Sequence, residues 1–277
     1  MAFLSNMHTH TIFGDGLCTV DEMASAAAQK GFLSLGFSEH GPAEYDKGAA
    51  ISPADVQEYF RQVQKAKEDY RGKVEIYAGM EVDALKPFSH PALEYIIGSV
   101  HYIRDDKGVI QNIQYGDHRY EAAIAAMGGV RPMVQRYYDT VFKMLGSLRP
   151  AILGHLDIIV KLNTEGRYFD ESSPWYRRME KQAALFAASS GAIIEVNTGG
   201  LARGHRSFPY PSANILYELA RLGAPVTITS DAHEAGAIDY GFDIALSALR
   251  EAGFTSVMRF EGGAFESIPL KRAFGEI

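Results

Sequence analysis

F-L-S-N-M-H-T-H, residues 3–10, is a short apolar run that ends in two histidines, His8 and His10. Side chains two positions apart on an extended segment share a face, so both imidazoles can reach one cation from a strand end. The same ending recurs down the chain. Residues 33–37 run into S-E-H with His40, 74–79 into A-G-M-E with Glu81, and 95–100 into His101. Residues 151–153 run into G-H-L-D with His155, and 226–229 into S-D-A-H with Asp231 and His233. Asp15, in F-G-D-G, lies on the loop that returns from His10. One His-x-His is weak evidence of a metal. Histidine or carboxylate tips on strand after strand point to a polynuclear centre.

Helical patterns separate these runs. T-V-D-E at 19–22 reads as a capping box opening a helix, with Glu22 three residues after the N-cap. Ser52-Pro53 predicts an N-cap and a first-turn proline for a helix reaching about Tyr70. Residues 117–147 look helical with an interruption at Gly128-Gly129, and further helices are expected over 174–190, after Pro211, and over 238–252 ahead of a short strand near Val257. Strand–helix alternation with short connections implies right-handed crossovers and a parallel sheet. A doubly wound sheet would gather its site at one switch point. Polar tips on nearly every strand instead favour an α/β barrel with its site at the C-terminal ends of the strands.

With 277 residues, 47% of them hydrophobic, the chain suits one barrel domain over 1–277. A formal charge of −7 argues against nucleic acid or an anionic membrane as partner. The single cysteine, Cys18, excludes an internal disulfide framework and any zinc-finger spacing, so a metal here has N/O ligands. The N-terminus shows no signal peptide and no run of membrane-span length, so a cytoplasmic protein is expected.

Nine ligand-type residues divide into three sets, which predicts three divalent cations. Glu81 is the natural shared ligand, because a carboxylate can bridge two ions and a neutral imidazole normally cannot. Glu81, Asp231 and His233 are expected at the reacting centre. Three cations, offset by Asp15, Glu81, Asp231 and a bridging hydroxide, leave roughly +2, matching a phosphomonoester dianion. Imidazole with carboxylate suits Zn, Mn or Fe better than Ca or Mg. Asp157, Glu195 and Asn197 are candidates to fix imidazole tautomers. His90 and His118 lack strand-end context and read as solvated loop residues.

H-T-H…D-G, S-E-H, G-M-E-V-D, G-S-V-H, G-H-L-D, E-V-N-T-G-G-L and S-D-A-H follow in order across nearly the whole chain. This series resembles the polymerase and histidinol phosphatase (PHP) superfamily, in particular its histidinol-phosphatase branch. The resemblance implies a distorted (β/α)7 TIM-like barrel and a trinuclear centre. One metal would sit on His8, His10, Glu81 and Asp231, a second on Glu81, His101 and His155, and a third on Asp15, His40 and His233. It further implies hydrolysis of L-histidinol phosphate, a step of histidine biosynthesis, by a metal-bridging hydroxide. Lys161, in place of an expected arginine, and Arg203 resemble the branch's phosphate grip, with His205 and Arg206 as further candidates. A metal-held water, His205 or Asp157 could protonate the leaving group. Other phosphomonoesters (nucleotides, sugar phosphates, phosphotyrosine), an amidohydrolase-type barrel and a non-catalytic metal-binding protein are the competing readings.

Overall fold

The structure is a computed structural model and describes residues 4–273, so Phe3 of the opening run lies outside the described residues. The first half comprises β1 (Ser5–Asn6), α1 (Val20–Gln29), β2 (Ser34–Phe37), α2 (Val56–Asp69), β3 (Glu75–Asp83) and β4 (Tyr95–Ser99). A hairpin of β5 (Tyr102–Arg104) and β6 (Ile110–Asn112) precedes α3 (Asp117–Ala126), α4 (Val130–Leu148) and β7 (Ile152–Leu153). Then come α5 (Pro174–Ser189), β8 (Ile193–Asn197), α6 (Gly199–Ala202), α7 (Ala213–Arg221), β9 (Val226–Thr229) and α8 (Phe242–Ala252). A second hairpin, β10 (Ser256–Glu261) with β11 (Ala264–Pro269), and α9 (Leu270–Ala273) follow.

Seven of these strands form one sheet in the order β1-β2-β3-β4-β7-β8-β9, each parallel to its neighbours. Closure between β9 and β1 is thin. Thr9 bridges Ala232, the His10 amide donates to the Ala232 carbonyl at 2.8 Å, and Asn6 Nδ2 donates to Ser230 Oγ at 2.6 Å. The result is a nearly closed (β/α)7 barrel. Its distortion lies between β3 and β4, where residues 84–94 cross without a helix.

Local chemistry explains most element boundaries. At α1, Thr19 Oγ1 accepts from the Glu22 amide at 3.2 Å while Glu22 accepts from the Thr19 amide at 2.7 Å. That reciprocal cap satisfies two first-turn amides, and Val20, Met23, Ala24 and Ala27 form the buried stripe behind it. The α3–α4 break falls at Gly128-Gly129, whose φ values of 75° and 141° end one helix and start the next. α2 begins later than Ser52-Pro53 predicts: the Asp55 amide bonds the Ser52 carbonyl, closing a separate turn, and Asp55 becomes the N-cap. α8 likewise starts at Phe242, after a 3-10 turn over Ala235–Ala237, because Gly241 in left-handed geometry resets the chain.

Inside the barrel, Met7, Tyr95, Ile97 and Ile152 make an apolar floor, joined by Phe260 of β10. The Tyr95 ring folds over Gly79, where a Cβ would come within 2.1 Å of it, and its hydroxyl donates to the Met7 and Phe37 carbonyls at 2.7 and 3.1 Å. The β10–β11 hairpin stands where a lone short strand is expected. Its second strand presents few buried residues, so it carries no apolar signature in the sequence. The polar layer lies above this floor, at the C-terminal strand ends.

Candidate metal centre

Glu81 is at the centre. It lies on β3, 1% exposed, and five imidazoles face its two oxygens. Oε1 is 2.9 Å from His155 Nε2 and 3.1 Å from His101 Nε2. Oε2 is 3.0 Å from His40 Nδ1, 3.3 Å from His8 Nε2 and 3.6 Å from His10 Nε2. Asp231 Oδ1 approaches His10 Nε2 at 3.2 Å and His8 Nε2 at 3.7 Å. Asp15 Oδ1 closes the far side, 3.2 Å from His233 Nε2 and 3.8 Å from His40 Nε2. All nine sequence-predicted ligand residues therefore meet in one cluster.

Donor atoms group within 4.8 Å of one another as His10, Asp15, His40 and His233, as His8, His10 and Glu81, and as His40, Glu81 and His101. His10 and His40 each face two groups, which the simple partition into three sets does not anticipate. Despite these close approaches, His8 Nε2, His10 Nδ1 and Nε2, Asp15 Oδ1 and Glu81 Oε2 are buried and make no hydrogen bond of normal geometry. Buried polar atoms are normally hydrogen-bonded. Orphaned imidazole nitrogens and carboxylate oxygens turned toward one another are the donor set of divalent cations.

Electrostatics prepares these groups. Burial raises the Glu81 carboxyl, yet the rings of His101, His8 and His40 outweigh it and hold Glu81 well below the usual carboxylate range. Asp231 is held down in the same way against burial, chiefly by Arg203 and His8. Burial, with His233 and His40 beside it, pushes His10 down to about 3, so that ring is neutral. Burial opposes protonation of His101, but Glu81 and Asp83 lift it to about 10. A metal at His101 must displace that proton.

The surrounding residues aim the rings. Glu195, on β8, accepts from His8 Nδ1 at 2.5 Å, from the His155 amide at 2.6 Å and from Thr229 Oγ1 at 2.6 Å. Asn197 Nδ2 donates to Glu195 at 3.0 Å and to Asp231 at 3.3 Å. Burial opposes protonation of His8, but Glu195, Glu81 and Asp231 hold it well above the ordinary imidazole value, so with Glu195 keeping the Nδ1 proton a metal at Nε2 must displace the other. Asp231 holds φ at 50°, a left-handed backbone that a non-glycine residue adopts only where its surroundings enforce it. Arg203 supplies part of that enforcement: Nη2 donates to Asp231 Oδ2 at 2.9 Å and Nη1 to the Asp231 carbonyl at 3.0 Å. Gly199 admits the guanidinium, since a Cβ there would lie 2.7 Å from Arg203 Nη2 and 2.9 Å from Asp231 Oδ2.

A cavity of about 460 Å³ opens onto the cluster and is lined by Lys161, Arg203 and His205 besides the ligand-type residues. Burial, then the neighbouring Arg203, pushes the Lys161 ammonium down to about 8. Arg206 is not in this cavity. Its guanidinium is occupied by Glu171, at 2.9 and 3.0 Å, and by the Val160 carbonyl at 3.2 Å. Asp157 also faces elsewhere: it is fully buried, accepts from the Ser212 amide at 2.8 Å and lines a separate small cavity with Glu171 and Glu180. Neither residue lines the cavity beside the cluster. His90 stacks on Phe60 at 4.4 Å, and His118 is exposed.

Two contributors escape the sequence reading. Asp83 accepts from the His101 amide at 2.9 Å and lies 3.5 Å from His101 Nδ1. Its signal was present in G-M-E-V-D, where it shares a strand face with Glu81. Glu39, beside His40, is buried and accepts from Thr11 Oγ1 at 2.6 Å and from the Thr11 amide at 2.8 Å, anchoring the loop that carries Asp15. Burial raises it to about 8. Nothing local in S-E-H separates that role from a surface glutamate.

Comparison with known proteins agrees with this geometry. The PHP domain family model matches residues 6–199. Histidinol-phosphatase of Bacillus subtilis (strain 168) is 27% identical over 262 residues, covering 86% of this chain and 97% of the relative. A Listeria monocytogenes crystal structure, described as a candidate histidinol phosphatase, superposes with a TM-score of 0.77 at 21% identity, covering 86% of this chain and 98% of that one. Histidinol phosphate phosphatase from Lactococcus lactis subsp. lactis, crystallised with Zn, L-histidinol and phosphate, gives 0.68 at 19% identity, covering 96% and 99%. These two solved structures share the fold.

Proposed function

Because the chain belongs to the PHP domain family, we propose that it is a metal-dependent phosphomonoesterase, a histidinol-phosphatase that converts L-histidinol phosphate to L-histidinol and phosphate. The observation that carries this reading is the convergence of six imidazoles and three carboxylates, with orphaned donor atoms, beside a cavity holding Lys161 and Arg203. Residues 1–277 act as one catalytic domain.

His8, His10, Glu81 and Asp231 would hold one divalent cation, Glu81, His101 and His155 a second, and Asp15, His40 and His233 a third, with Zn, Mn or Fe suited to this donor set. When bound, the cations polarise phosphoryl oxygens and supply hydroxide near neutral pH. The protein's own groups do the rest. Glu81 spans the centre through both oxygens, and Glu195 and Asp83 keep the rings of His8 and His101 turned inward. Lys161 places a positive charge where the transferring phosphoryl group gathers negative charge. Arg203 holds Asp231 and His233 while presenting its remaining face to the same cavity. His205 lines the same cavity and is the candidate to deliver a proton to the departing alkoxide.

Metal-loaded protein should release phosphate from L-histidinol phosphate faster than from nucleotides, sugar phosphates or a phosphotyrosine peptide. Faster nucleotide turnover would remove the substrate assignment and leave the metal chemistry standing. Glu81→Ala should lower kcat by about 10³-fold or more and reduce bound metal. Full activity in that variant would end its bridging role.

A further inference from the structure

The small cavity beside Asp157 has a volume of about 210 Å³ and shares no lining residue with the metal cavity. Its ionisable lining is Asp157, Glu171, Glu180, Arg177, Arg206 and Tyr210. Both arginines are committed. Arg206 grips the two oxygens of Glu171 at 2.9 and 3.0 Å, and Arg177 Nη1 donates to Glu180 Oε2 at 2.8 Å. Glu180 Oε1 is taken by Ser212 Oγ at 2.7 Å. Two of the three carboxylates are thereby matched by a guanidinium, and the charge of Asp157 is left over.

Asp157 is 0% exposed, and its Oδ2 accepts from the Ser212 amide at 2.8 Å. Its Oδ1 makes no hydrogen bond of normal geometry, and neither does the hydroxyl of Tyr210, which is 2% exposed. A buried carboxylate oxygen without a partner is costly, so two such oxygens on the walls of one polar cavity call for an occupant. We propose that the cavity binds an alkali-metal cation, with Asp157 Oδ1 and the Tyr210 hydroxyl oxygen as its protein ligands and water completing its shell.

Charge and donor type agree on that class. One positive charge neutralises the cavity, whereas a divalent ion would leave it positive. The free donors are oxygens, with no imidazole or thiolate for a transition metal. Among the described residues, three His, Asp or Glu donor atoms come within 4.8 Å of one another only at the metal centre, so the carboxylate cage that calcium takes is not formed here. The volume has room for an ion with several waters. Arg177, whose side chain is 40% exposed, places one wall of the cavity at the surface. Asp157 belongs to the segment after β7 that carries Lys161, and Tyr210 to the loop before α7 that carries His205. An ion between them would hold those two segments together from outside the metal cavity. The site does not depend on which ester the metal centre cleaves.

The test uses the full chain loaded with divalent metal, so that the metal centre is filled, in potassium, sodium or N-methyl-D-glucamine chloride at one ionic strength. Replacing the bulky organic cation by saturating potassium or sodium should raise Tm by about 5 °C, because only the small ions bind the folded form. Thallium(I), a potassium surrogate, soaked as acetate into crystals of the same protein should give an anomalous peak between Asp157 and Tyr210. Asp157→Asn removes the charge and keeps an oxygen for the Ser212 amide. Its Tm should differ by less than about 1 °C between the salts, with no thallium in the cavity. Tyr210→Phe leaves the ring against Gly200 and removes one ligand oxygen, so half-saturation by the alkali cation should move up about tenfold. Unchanged divalent metal in both variants, by elemental analysis, shows that they fold. Equal Tm in the three salts with no thallium in the cavity would overturn the site. A salt effect that persists unchanged in both variants would overturn it as well, by placing the ion elsewhere.

Discussion

Lys161, as the proposed phosphate contact, should set a pH limb. Burial lowers its ammonium to about 8, so it is charged below that pH and neutral above it. The proposed attraction for phosphate should therefore be present at neutral pH and lost as pH rises through about 8. In the free enzyme kcat/KM should fall there toward a plateau about 10–100-fold lower, while kcat moves less because bound phosphate keeps the lysine protonated. Lys161→Arg should erase the limb, since a guanidinium does not deprotonate in this range. A limb that persists in Lys161→Arg assigns it to another group. The convergence of the nine ligand-type residues was legible in the sequence because eight of them lie at or just past a strand end and Asp15 on the loop beside them. The Glu171 contact of Arg206 was not legible for the converse reason. An arginine in a loop near Arg203 looks the same whether it faces phosphate or Glu171, and only the path of residues 163–171 decides.

Between elements, a polar clamp joins the loop before α7 to the segment after β7. Arg206 binds Glu171 and the Val160 carbonyl, Asp157 accepts from the Ser212 amide, and Ser212 Oγ donates to Glu180 at 2.7 Å. Asn163 ties in Glu171 and the Phe169 carbonyl, both at 2.9 Å. Arg206 adjoins His205 in sequence and its Val160 contact adjoins Lys161, so the clamp ties together the segments that carry both. Arg206→Ala should cost about 1–3 kcal/mol in denaturant unfolding and raise KM a few-fold with kcat nearly unchanged. Unaltered stability with a KM loss of about 100-fold would return Arg206 to direct phosphate contact. Element boundaries followed from the sequence where the cap was local, as at Thr19–Glu22. They shifted by a few residues where a turn preceded the helix, as at Ser52–Asp55.

For the molecule as a whole, the cations are expected to be structural as well as catalytic. The metal layer spans strands on both sides of the thin β9–β1 closure: His8 and His10 follow β1, and Asp231 and His233 follow β9. Ions held there would tie the two edges together. A ligand present at about 1,000 times its Kd stabilises the fold by roughly 4 kcal/mol, so chelation should lower Tm on the order of 10 °C, reversibly on adding metal. An unchanged Tm after metal loss, verified by elemental analysis, would show that the barrel closes without them. Among the described residues no helix is long and apolar enough to cross a membrane.

By itself the sequence determined the alternation of strand and helix, the chemistry at the strand ends and the family. Those properties reside in short segments: an apolar run, a cap, a ligand pair spaced for one face. Tertiary structure alone decided which basic side chains line the cavity, that His10 and His40 each face two donor groups, and that a second cavity adjoins the first at Asp15 and Tyr115. These depend on distances between segments far apart in the chain. No local pattern encodes such distances, because they follow from how the whole barrel closes and packs.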